Sequence, residues 1–162
     1  MATSKQNTTQ EKVGNEQIAK AIAMGLIVTG VEGGYDAVSC STGGDYPSMG
    51  VSQWEGIGGR GDSLLSSIPG CERFVGKSYS SLSKSDISEL KQLLSSDAGQ
   101  KAQQQILTKD CLEDYLPSLA SIDSLNNPKS YIYAGIWCPT STSVVHDFLK
   151  NRQSSYDINS LE

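Results

Sequence analysis

VEGGYDAVSCSTGGDYPSMGVSQWEG, residues 31–56, decides how this chain is read. An apolar run, AIAMGLIV at 21–28, stops just ahead of a carboxylate, Glu32. Small residues and further acids follow, then Ser48-Met49-Gly50-Val51-Ser52-Gln53, closed by Trp54. Residues 14–31 predict a helix whose heart is apolar on nearly every side, and such a helix belongs in the middle of a fold. Gly33-Gly34 suits a left-handed helix stop. Glu32 is then expected at the carboxyl end of a buried helix. The dipole there is negative and apolar neighbours disfavour charge, so both raise a carboxyl pKa. A raised pKa is what a general acid working near neutral pH requires. The commonplace alternative is an ordinary exposed Glu at a helix end.

Working outward, 162 residues suffice for one domain with its own core, expected over 14–160 behind a flexible polar tail at 1–13. A net charge of -5 argues against nucleic-acid binding, which needs a basic face for phosphates. No stretch approaches the roughly 18 apolar residues of a membrane span, and the start, MATSKQNTTQEK, lacks the apolar core of a signal peptide. The four cysteines, Cys40, Cys71, Cys111 and Cys138, form no C-x-x-C pair, so a metal site is not expected. Disulfides in an exported protein and buried thiols in a cytosolic one fit them equally.

Between the helices, 35–60 is rich in Gly, Ser and Asp, which favours turns and short strands. Met49 to Trp54 alternates weakly, as one arm of a small hairpin. A short helix is expected over 60–68. A second is expected from a Ser85 or Asp86 cap through Leu94, with Ile87, Leu90 and Leu94 on one face. A third covers 97–115 with Ala102, Ile106, Leu107, Cys111 and Tyr115 as its stripe, ended by Pro117. Pro128 suits a first helical turn before 130–137, and a last helix is expected over 141–151. The fold class that emerges is mainly α (α+β): a central buried helix, a small β hairpin or sheet, and C-terminal helices.

Glu32, followed eighteen positions later by Gly50 in Ser48-Met-Gly-Val-Ser-Gln53, resembles the lysozyme-like superfamily. Goose-type lysozymes, lytic transglycosylases and many phage muramidases share this order. The longer pattern E-G-G-Y-D-A-V, S-M-G-V-S-Q-W-E-G and R-G-D-S-L-L is also similar to lysozyme-like domains of phage and Gram-positive cell-wall lysins. The likeness covers about residues 28–66. It implies a lysozyme-like fold and a peptidoglycan-cleaving glycosidase, without cofactor or metal, in which Glu32 is the catalytic acid. The same likeness makes Ser48, Gly50 and Gln53 the hairpin that hydrogen-bonds the sugar. Asp45 and Glu55 stand near the positions of auxiliary carboxylates, and Asp45 ranks first, Glu55 second and Asp36 third. Departures at Ser39, Thr42 and Pro47 leave that second carboxylate open. Tyr35 and Trp54 are the candidates for stacking on sugar faces, with Tyr131, Tyr133 and Trp137 behind them; core packing is the alternative for each. Arg60 is placed near the cleft or against an acid.

The implied partner is the peptidoglycan glycan strand, and the implied setting is secreted, at the cell wall or delivered by phage. A monomeric domain is expected, belonging to a longer protein if Leu161-Glu162 is a vector remnant. Two other functions compete. A chitosanase-like or chitinase-like glycosidase suits an acidic protein better than an anionic wall does, and a catalytically silent sugar-binding module would keep the scaffold alone. Gly56-Ile-Gly-Gly-Arg-Gly61 spells a dinucleotide fingerprint, but no buried strand of a βαβ unit precedes it. Arg60-Gly-Asp62 copies an adhesion tripeptide by chance. His146 is the single histidine, which leaves a zinc site or a Ser-His-Asp triad without support.

Overall fold

The structure, a computed structural model, describes the backbone of residues 3–30, 33–122, 125 and 127–137, and side chains between 14 and 136 of these. Val31, Glu32, Cys138, Pro139, His146 and the helix expected over 141–151 lie outside the described residues. Six α-helices and a three-stranded antiparallel sheet are described. The fold class is therefore mainly α with a small β element, as the pattern predicts. Contacts divide the chain into two compact units, one of Ile27–Leu107 and one of Met1–Leu26 with Thr108–Glu162. No described helix is long and apolar enough to cross a membrane.

Helix α1 runs Thr3–Thr29, so it starts ahead of the expected Gly14 and takes in most of the polar segment before it. It also stops early. Gly30 adopts a positive φ of 62° and its N–H reaches the Ile27 carbonyl at 3.2 Å, which is a glycine helix stop before the Gly33-Gly34 pair. The helix thus ends short of Glu32 rather than at it. Nor is it buried all round. Ala19, Ile22, Ala23 and Leu26 form a buried stripe at helical spacing, while Met24 is 37% and Val28 82% exposed. Within its unit the stripe meets α6, Pro128–Trp137, through glycines. A Cβ on Gly135 would stand 2.8 Å from Ile22 Cδ1, and one on Gly25 would run into Ile136. Close approach through small residues explains why a single face is enough.

Pro117, which belongs to the same unit, does not end the helical run that precedes it. Helix α4, Asp97–Asp110, passes into a π-helical turn at Cys111–Tyr115 and then into α5, Leu116–Ala120. The wider turn comes just where a proline ring would crowd the carbonyl one turn back and where no N–H is left to donate. Asn127 caps α6, its Oδ1 accepting the Ser130 N–H at 3.0 Å and its N–H donating to Ser130 Oγ at 3.3 Å.

The other unit holds the sheet. Strands β1 (Val38–Cys40), β2 (Pro47–Met49) and β3 (Trp54–Glu55) pair in the order β1-β2-β3. The register sets Val38 opposite Met49 and Met49 opposite Trp54. Residues 50–53, expected in a strand, instead form the turn of the β2–β3 hairpin. Gly50 at φ 71° and Gln53 at φ 51° are left-handed, a conformation no extended strand accommodates. Helix α2, Arg60–Ser66, packs on β2 and β3 with Leu64 and Leu65 buried. Two 3-10 turns, Glu72–Phe74 and Tyr79–Ser81, lead to α3, Lys84–Ser95, which rests on β1. Met49, Trp54, Ile68, Phe74, Leu90 and Leu94 form the interior.

The cap of α3 is Ser83, not Ser85 or Asp86. Ser83 Oγ accepts the Asp86 N–H at 3.0 Å and Asp86 Oδ2 accepts the Ser83 N–H at 2.9 Å, a reciprocal capping box. Cys40, Cys71 and Cys111 are free thiols. Burial, helped by nearby acids, pushes Cys71 up to about 11 and Cys111 up to about 12, so both behave as small apolar core groups.

The Ser83 hydroxyl, then its N–H and more weakly Arg73 and Lys77, hold the Asp86 carboxyl below its ordinary 3.8. A folded pKa below the unfolded one adds stability that is present above the unfolded value and is lost as pH falls through the folded one. Asp86→Ala is therefore expected to lower the melting temperature at pH 7, with the gap to wild type narrowing below about pH 4. Thermal unfolding by circular dichroism at both pH values checks this.

Candidate functional site

Glu32 lies outside the described residues, but the residue that follows it does not. Gly33 lies against the turn of the β2–β3 hairpin. A Cβ on Gly33 would stand 2.9 Å from Gln53 Nε2 and 3.5 Å from the Gly50 carbonyl oxygen. The backbone downstream is tied to the same turn, with the Gly50 N–H donating to the Ala37 carbonyl at 2.9 Å. The Ser48–Gln53 segment and the loop 33–37 are thus neighbours in space.

The hairpin is internally braced. Ser48 Oγ donates to Gln53 Oε1 at 2.9 Å, and Gln53 Nε2 donates to the Gly50 carbonyl at 3.3 Å. These bonds hold a non-glycine residue at positive φ, which the Gln53 backbone alone disfavours. Ser48 pairs directly with Glu55 in the register, so the Glu55 side chain leaves the sheet on the same face as Ser48. Glu55 is exposed. Trp54 leaves on the other face with Met49 and is 3% exposed, its ring packed beneath Gly50. Tyr35 is half-buried, its phenol oxygen accepting from Gln104 Nε2 at 2.8 Å. Of the two aromatic candidates nearest the hairpin, Tyr35 is the one with surface to offer.

Asp45 stands elsewhere. It lies in the β1–β2 connection, at the end of β2 away from Gly50, and the three residues of β2 intervene. A strand that long spans about 10 Å. Its Oδ1 accepts the Ser80 N–H at 2.9 Å, and its Oδ2 takes the Ser80 hydroxyl. The Ser80 hydroxyl first, and then the Ser80 N–H, hold this exposed carboxyl below its ordinary 3.8. Asp45 therefore fastens the β1–β2 loop to the 3-10 turn at Tyr79–Ser81. The fold does not bring it to the Gly33 end of the hairpin; the carboxylate that shares a face with Ser48 is Glu55. Asp36 is exposed in the loop after Gly33.

Arg60 opens α2 and is exposed. Behind it, the Asp62 carboxylate accepts the Gly58 N–H at 2.6 Å and the Gly76 N–H at 2.9 Å. The chain's own carboxylate thus occupies the glycine-rich loop that would have to cradle a phosphate, and Gly61 is buried against the Glu55 backbone. Neither the dinucleotide nor the adhesion spelling has a geometry behind it. The late aromatics sit on α6 in the other unit, where Tyr131, with Ile18, Leu112 and Leu116 among others, lines a groove of about 210 Å³.

One residue central to this arrangement has no place in the sequence reading. Gln103 on α4 is fully buried. Its Oε1 accepts the Val51 N–H at 3.0 Å, and its Nε2 donates to the Tyr35 carbonyl at 3.1 Å and the Leu94 carbonyl at 2.9 Å. The available signal was its position, four residues before Leu107 on an apolar stripe, where an uncharged polar residue needs partners. Compared with known proteins, the chain matches no family model, no curated protein and no solved structure.

Gly50 is where backbone and packing demands coincide. A Cβ there would meet Gln103 Oε1 and would stand 3.3 Å from Trp54, at a φ of 71°. Gly50→Ala is expected to destabilise the protein by about 2–4 kcal/mol, from left-handed strain and overpacking together. Urea unfolding measures it, and a loss below about 1 kcal/mol would contradict the tight turn.

Proposed function

We propose that this chain is a lysozyme-like glycosidase acting on the glycan strands of peptidoglycan, with Glu32 as its general acid. One observation supports this reading most: the Ser48–Gln53 hairpin turn packs against Gly33, the residue next to Glu32 in sequence. Glycosidic cleavage passes through an oxocarbenium-like state, so an acid must protonate the leaving oxygen while polar groups hold the sugar. The Glu32 carboxyl gives that proton. Exposed atoms of the braced turn supply hydrogen bonds to the sugar, and the half-buried Tyr35 offers an aromatic face. Glu55, on the Ser48 face of the sheet, takes precedence over Asp45 as the second carboxylate. It either activates a water or steadies the cationic sugar; otherwise the substrate's own 6-hydroxyl attacks and the product carries a 1,6-anhydro end.

The chain's net charge of -5 favours a second substrate class, a polycationic glucosamine polymer, on the same residues. Zymography on cell walls and on chitosan, with wild type, Glu32→Gln, Glu55→Gln and Asp45→Asn, tests the assignment. Wild type is expected to clear cell walls, Glu32→Gln to lose at least about 1,000-fold in rate, and Glu55→Gln to lose more than Asp45→Asn. Equal clearing by wild type and Glu32→Gln sinks the reading, and clearing of chitosan alone transfers it to the second substrate. Mass analysis of released fragments separates reducing from 1,6-anhydro ends.

A further inference from the structure

We propose that Gln103 is a positioning residue that holds the loop following Glu32 against the hairpin turn; its catalytic consequence rests on the glycosidase reading above. The two walls of the candidate site have different origins. One is the loop 33–37, which continues from Glu32 and carries Tyr35. The other is the 50–53 turn. Gln103 reaches both with one amide: its Oε1 takes the Val51 N–H and its Nε2 gives one hydrogen to the Tyr35 carbonyl. The second hydrogen goes to the Leu94 carbonyl near the end of α3, which anchors the amide itself. All three partners lie in one unit, and the side chain is fully buried, so its geometry is held without competition from water.

The next residue adds to this. Gln104 Nε2 donates to the Tyr35 phenol oxygen, so consecutive glutamines hold Tyr35 at its backbone and at its ring tip. Closeness to Gly50 completes the fit. A Cβ on Gly50 would collide with the Gln103 amide, so glycine there is what lets the turn settle onto the clamp. A shorter amide cannot reach both walls at once, and the loop would relax away from the turn. An acid displaced by about 1 Å from its target oxygen loses on the order of 100-fold in rate.

Gln103→Asn is compared with Ile68→Val, a conservative change at another fully buried position of the same unit. Both are assayed on cell-wall glycan at a temperature where circular dichroism shows them folded. The expectation is a kcat loss on the order of 100-fold for Gln103→Asn with KM little changed, and a near-wild-type kcat for Ile68→Val. A kcat for Gln103→Asn equal to that of Ile68→Val overturns the proposal. Amide hydrogen exchange gives a readout that needs no activity, so it stands even if wild type cleaves no glycan and the glycosidase reading fails. The Val51 amide is expected to exchange slowly in wild type and faster in Gln103→Asn, while the Leu90 amide is unchanged. Fast exchange of Val51 in wild type overturns the clamp, and does so even if the Asn variant does not fold.

Discussion

A single buried amide holds the candidate site together. Gln103 carries its polar head into an interior made of Met49, Trp54, Leu90, Leu94 and Leu107, where an unpaired amide would cost several kcal/mol. It is paired on every side: one hydrogen bond to the hairpin turn, one to the loop after Glu32, one to α3. Much of what makes the 33–55 region irregular follows from this. Gly50 must lack a side chain to clear the amide, and the turn must present the Val51 N–H inward. Gln53 is left at a positive φ that Ser48 braces from the strand.

The same constraint separates the roles of the acids. Glu55 is carried on the strand that leaves the clamped turn, so its position follows from the clamp. Asp45 belongs to a different fastening, the one between the β1–β2 connection and Ser80. Two acids that look alike in the sequence thereby stand in different places, one at the face that carries Ser48 and one tied to Ser80. Asp62 is a third case, its carboxylate spent on the N–H groups of Gly58 and Gly76.

How much of this was legible in the sequence depends on how local each cause is. The stripe of α3 was legible because the helical spacing of Leu90 and Leu94 is written in the chain itself, and so was that of Leu107 and Cys111 further on. The β region was legible from its glycines and serines. Helix ends were less so: Gly30, a lone glycine, stops α1 before the more conspicuous Gly33-Gly34 pair, and Pro117 is absorbed by a π turn. The cap of α3 fell on the wrong serine because three Ser or Asp residues compete there, and only the reciprocal bond between Ser83 and Asp86 selects one. For Gln103 only the burial was legible, from its place on the Leu107 stripe; its partners Tyr35 and Val51 were not, since they are more than fifty residues away. The rank of Asp45 rested on sequence distance from Glu32, and the Ser80 partner that fixes its place is 35 residues further along the chain.

The central claim is that the hairpin turn packs against the backbone next to Glu32. Nuclear Overhauser spectroscopy on the labelled protein tests it most directly, through the Gln53 side-chain amide and the Gly33 α-protons. A strong cross-peak between them is expected, alongside those of the Val38–Met49 strand pair. Strand cross-peaks without the Gln53–Gly33 one would contradict the account, because the sheet would be formed while the turn stood away from the candidate acid.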